Sequence, residues 1–143
     1  MSTEKKSYNE HCLYFTANSL ARIITEMTER AFSKMGISAS YGHLMLIIID
    51  NPDLSLSELS KQMHVKPSTM TRFIDKLEHL GFVKRELVGR TASVSATKQG
   101  NELRLQIMDA LKTLYENYCE VLGKDFAMKL TENTHKANEI LYK

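Results

Sequence analysis

The chain has 143 residues, of which 43% are hydrophobic and 25% charged, with a formal net charge of +2. That length supports one domain with a real core, and the composition is that of an ordinary soluble globular protein. The longest apolar run, Leu44 to Ile49, falls far short of the roughly 20 residues that span a bilayer. The first residues, Met1 to Asn9, are polar with no apolar block behind a basic one, so no signal peptide is expected and the expected location is cytoplasmic.

Cys12 and Cys119 are far apart, and neither has a CxxC partner or a nearby histidine pair; no disulfide framework or zinc finger is expected. No nucleophile–base pair, glycine-rich phosphate loop or metal cluster is visible, so no enzyme, cofactor, catalytic residue or metal ligand is assigned.

From about Tyr8 to Met35, Leu13, Leu20, Ile23, Ile24, Met27, Ala31 and Met35 recur at three- and four-residue spacing. The spacing predicts one long amphipathic helix stopped by Gly36. At about 1.5 Å per residue it is some forty ångströms long, so it needs partner helices from the other end of the chain. Ser38 or Ser40 then caps a second helix through Tyr41 to Ile49, whose near-continuous apolar surface marks it as a buried central helix. A buried strand is the competing reading of Leu44–Ile49. Asn51-Pro52-Asp53 supplies a turn.

Ser55-x-x-Glu58 has the form of a capping box opening a helix from Leu56 to Met63. His64-Val65-Lys66 is a turn, and Pro67 suits the first position of the next helix, where its missing N–H costs nothing. In that helix Met70, Phe73, Ile74, Leu77 and Leu80 share one side. Ser68, Thr71, Arg72, Asp75 and His79 share the other, with Thr69 and Lys76 on a flank. Short hydroxyl side chains let a helix approach base edges closely, and arginine can take guanine O6 and N7 in a bidentate pair. A solvated polar face is the plainer alternative. Gly81 stops the helix, and two short strands, Phe82–Leu87 and Ala92–Ala96, follow around a tip carrying Arg90.

Residues 61–90 hold seven basic side chains against three acidic ones, whereas residues 1–33 and 91–143 are each balanced. The positive excess therefore lies where phosphates would need it. Thr97 caps a further helix to Leu122, Gly123 interrupts, and a last helix runs from Phe126 to Tyr142. The fold class is mainly α with a small β wing: a winged helix-turn-helix over 37–97, within a single domain spanning 1–143. Helices over 8–35 and 98–142 frame it.

Leu56-Ser57-Glu58-Leu59, the stretch from Pro67 to Glu78, Gly81-Phe82-Val83-Lys84-Arg85 and Thr97-Lys98-Gln99-Gly100 together resemble the MarR (multiple-antibiotic-resistance regulator) family of bacterial transcription factors. The resemblance covers essentially the whole chain. It implies a homodimer with interlocking first and last helices, whose two recognition helices read a pseudo-palindromic operator in double-stranded DNA, most simply as a repressor. It places Ser68, Thr69, Thr71 and Arg72 against bases, Lys66 and Lys76 against phosphates, and Arg90 in a minor groove. Three departures stand out: Val88 replaces the usual aspartate two residues before the wing arginine, the wing is shorter, and Lys66 replaces the usual Ser or Asp before Pro67.

Members of the family typically release DNA when a small molecule, an oxidant or a metal acts near the junction of reader and dimer helices. The resemblance points to Tyr14, Phe15, His43 and Met70 as a candidate effector lining. A redox-responsive regulator acting through Cys12 is an alternative, although the family's sensor position falls on Tyr14. By the same resemblance His43 stands where the family's zinc-responsive members place a ligand, but residues 98–122 lack the further histidines those members use. The rival from another class is a winged-helix protein-interaction module with little DNA binding. Salt dependence of binding separates the two.

Overall fold

The computed structural model describes residues 7–142; Met1–Lys6, Lys143 and the side chain of Val88, with the expectations attached to them, lie outside the described residues. The elements in order are α1 (Tyr8–His11), α2 (Leu13–Phe32), α3 (Ala39–Asp50), β1 (Leu54–Ser55), α4 (Leu56–Gln62), α5 (Pro67–His79), β2 (Val83–Val88), β3 (Thr91–Ala96), α6 (Lys98–Glu102), α7 (Arg104–Leu122) and α8 (Lys124–Leu141). The small sheet is antiparallel in the order β1-β3-β2.

The long first helix is not continuous. Cys12 is extended at φ −108°, ψ 113°, and separates α1 from α2. No residue of α1 is buried, so packing does nothing to enforce one unbroken helix. The helix also ends earlier than Met35, at Phe32, whose side chain is buried and whose ring lies against Gly42. A Cβ at Gly42 would collide with that ring, so this glycine fixes how closely α2 approaches α3.

Leu44–Ile49 is helical, which disposes of the strand alternative, and Ser38 rather than Ser40 is the N-cap residue of α3. Leu44, Met45 and Ile48 are buried and pack in one core with Leu59, Met70, Ile74, Leu77, Val83, Val94, Ile107 and Ala110. The central position expected for α3 is what the core requires. Arg104 at the start of α7 donates to both carboxylate oxygens of Asp50 at the end of α3 (3.1 and 3.4 Å).

The Ser55–Glu58 capping box is present: Glu58 N–H donates to Ser55 Oγ at 3.1 Å, and Ser55 N–H to Glu58 Oε2 at 3.3 Å. Leu54 and Ser55 also form β1, pairing with Val94 and Ser93; a two-residue strand carries no alternation from which to read it. The helix expected over Thr97–Leu122 breaks at Leu103, whose N–H bonds to Gly100 O. Gly123, at φ +87°, turns the chain from α7 into α8. Helix α2 packs along α7, and α7 along α8, the pairing that the length of the first helix demands.

Candidate nucleic-acid interface

Two helix ends of the same design bracket α5. At the end of α4, Val65 N–H bonds to Ser60 O (3.1 Å) and His64 N–H to Lys61 O (3.2 Å), with His64 at φ +53°. At the end of α5, Phe82 N–H bonds to Leu77 O (2.9 Å) and Gly81 N–H to Glu78 O (3.0 Å), with Gly81 at φ +84°. Both are Schellman motifs, in which one left-handed residue lets the last carbonyls find donors. Glycine fills that position after α5, as the sequence suggested. Histidine fills it after α4.

Between these ends, α5 buries Met70, Ile74 and Leu77. Phe73 is half-buried, its ring 5.0 Å from that of Tyr41, while Leu80, grouped with the inner side, remains 39% exposed. Pro67 opens the helix and Lys66 stands at the N-cap without a side-chain capping bond. Ser68, Thr71, Arg72 and Lys76 are exposed, Lys66 is exposed, and Thr69 is half-buried on the flank. The Thr71 hydroxyl donates back to Pro67 O at 3.1 Å, so its oxygen keeps acceptor capacity toward solvent.

Asp75 is not free on that face. Arg85 of β2 pairs with Asp75, and with Glu78 at 3.5 Å, while its backbone N–H donates to Glu78 Oε2 at 3.3 Å. Lys84 pairs with Glu86 at 2.9 Å. All three carboxylates of segment 61–90 are thus engaged by the wing. Lys61, Lys66, Arg72, Lys76 and Arg90 have no ion-pair partner among the described residues. These five cations are all exposed.

The wing is a tight hairpin. Its register runs from Val83↔Ala96 to Val88↔Thr91, leaving only Gly89 and Arg90 as the loop. Gly89 has φ +67°, the left-handed value that a two-residue hairpin with glycine first requires. Arg90 is exposed at the tip. Thr97 ties the base of the wing to α5: its N–H bonds to Phe82 O (3.0 Å), and its hydroxyl donates to Gly81 O (2.6 Å) while accepting from Gly100 N–H (3.1 Å).

The four residues suggested as an effector lining are dispersed in character. Met70 is fully buried in the core, Tyr14 is 79% and Phe15 39% exposed, and His43 is exposed. The apolar groove lies elsewhere, between α2, α7 and α8, a space of about 370 Å³ lined by Leu20, Ile24, Tyr118, Leu122, Leu130 and neighbours. Cys12 is half-buried at the break between α1 and α2. Cys119 is half-buried too, next to Tyr115, whose hydroxyl is pushed up by the neighbouring Cys119 side chain. Sequence reasoning did not single out Arg85, His64 or Tyr142, whose partners are supplied by other elements.

A capped helix, a tight turn, a second helix with its hydroxyl and basic side outward, and a hairpin beside it define a winged helix-turn-helix protein. Residues 37–87 match the model of the MarR family. That match spans the winged-helix region, from α3 into β2.

The chain is similar over 98% of its length to the transcriptional repressor CouR bound to p-coumaroyl-CoA. There the TM-score is 0.83 at 15% identity, with 99% of that chain covered. It is similar over 93% of its length to a MarR variant from E. coli complexed with operator DNA, with TM-score 0.82, 20% identity and 99% of that chain covered. At these identities the likeness is one of fold. An uncharacterized HTH-type transcriptional regulator of Methanocaldococcus jannaschii is 34% identical over 77 residues, 53% of this chain. The chain spans 58% of that relative's length. No helix among the described residues is long and apolar enough to cross a membrane.

Proposed function

We propose that this chain is a homodimeric, DNA-binding transcriptional regulator that represses by occupying a pseudo-palindromic operator. The observation that carries the reading is the outer side of α5, where Ser68, Thr71 and Arg72 are exposed while every nearby carboxylate is engaged by the wing. Arg72, with Ser68, Thr69 and Thr71, reads base edges; Lys66 and Lys76 hold phosphates; Arg90 enters the adjacent minor groove. Residues 37–97 serve as the reader, and 8–35 with 98–142 as the dimerisation region. Support for the dimer comes from apolar side chains that one copy leaves in water, Ile23 at 55%, Val121 at 82% and Phe126 at 59% exposure among them. A small-molecule effector that lowers operator affinity completes the proposal; a neighbouring fold holds p-coumaroyl-CoA.

Selection of bound sites from random duplex DNA tests this reading. The expected outcome is an inverted repeat, bound with an affinity that falls with salt at a slope of roughly −0.9 per phosphate contacted. Recovery of no preferred site, or a flat salt response, favours a protein-interaction module instead.

A further inference from the structure

The end of α8 doubles back onto the turn between α4 and α5. Tyr142 OH donates to Val65 O at 3.3 Å across 77 residues of sequence. Its ring lies over that of His64, with centroids 4.7 Å apart and planes inclined by 34°. Glu139, one turn earlier on α8, places Oε1 3.5 Å from His64 Nε2. The three side chains meet with Lys61 and Pro67 around one cleft of about 630 Å³.

We infer that Tyr142, through His64 and Val65, is a positioning residue for the recognition helix. The inference rests on the DNA-binding reading above. Two features of the turn make this contact consequential. His64 and Asp53 are the non-glycine residues at positive φ among the described residues, and histidine tolerates that conformation less readily than glycine. The turn is therefore a place where an outside contact helps decide the backbone. Immediately beyond it, α5 begins without a side-chain cap on Lys66, so the aim of its first turn is inherited from Val65 and His64. Each contact is modest alone, a tilted ring pair, one hydrogen bond and a partly exposed ion pair. Base reading nevertheless needs side chains held to within about half an ångström, so a small loosening at the turn degrades specificity before it degrades the fold.

The test compares wild type with Tyr142→Ala, Tyr142→Phe, His64→Asn and the double variant Tyr142→Ala/His64→Asn. Affinity is measured by fluorescence anisotropy on the selected operator and on a scrambled duplex. Tyr142→Ala should lose roughly 2- to 30-fold on the operator, the range usual for mutations that act through coupling, with the scrambled duplex unaffected. Tyr142→Phe, which keeps the ring, should recover most of that loss. The double variant should be no worse than Tyr142→Ala, because both changes break one contact. Equal losses on both duplexes, additive losses, or no loss would overturn the inference. Amide hydrogen exchange of residues 61–70 in the free protein supplies an arm independent of DNA. Exchange should accelerate in Tyr142→Ala, and unchanged exchange means that α8 does not grip the turn at all. Accelerated exchange in a protein whose wild type prefers no duplex overturns the DNA reading and the positioning role while leaving the contact itself intact.

Discussion

Arg72 is the exposed cation that α5 presents between its hydroxyl-bearing first turn and Asp75. On the proposed reading its replacement by alanine removes a base contact, at a cost of about 1–3 kcal/mol in operator affinity. Preference at one base position in each half-site should relax in the selected pool, and an unchanged preference would rule the role out. Arg90 makes a different prediction. At a two-residue tip, Arg90→Ala should weaken binding on all sequences and lower the steepness of the salt dependence by about one charge. If the salt plot does not move, the short wing stops short of the duplex. Ser68, Thr71 and Arg72 were legible in sequence because a helix places them by a fixed rotation per residue. Arg85 was not: its pairing with Asp75 depends on β2 lying beside α5, which no local pattern contains.

At the scale of elements, local chemistry was readable and long-range fit was not. The capping box at Ser55 and the stops at Gly81 and Gly123 follow from rules within one or two turns of chain, and the structure has all three. The break at Cys12 and the split at Leu103 escaped notice because each lies where the apolar series only begins, at Leu13 and at Leu103, and no proline marks either. Gly100 shows the same limit. Its backbone lies so close to Phe82 O that a Cβ would overlap the carbonyl, a constraint invisible without the packed pair. Gly100→Ala should therefore destabilise the fold, by about 1–3 kcal/mol or more as overpacking against backbone does, even though alanine favours helix. Thermal unfolding measures it. A melting temperature equal to or above that of wild type would mean that α6 can shift away at little cost.

Viewed as a whole molecule, the chain leaves apolar side chains exposed on its helical side. The groove between α2, α7 and α8 is apolar at its floor, and Leu13, Val121 and Leu141 are all more than 70% exposed. Sedimentation velocity should give a particle of about twice 16.4 kDa. Replacing Val121 by aspartate, if that face is the seam, should shift the population toward monomer and weaken operator binding in step. A monomer that still binds the inverted repeat with full affinity would break the link between pairing and reading. The need for partner helices from the other end of the chain was legible from the length of the first helix, and α7 packs along it. Which apolar residues stay exposed was not legible, since the apolar stripe serves both the chain's own packing and the outer face.

The turn at Gly123 has a practical consequence. It sends α8 back along α7 until Tyr142 rests on the turn ahead of α5, so any polypeptide joined after residue 142 emerges beside that turn. A fluorescent reporter or affinity tag appended there would crowd that segment, and on the proposed reading operator affinities measured with it would describe the fusion rather than the untagged chain.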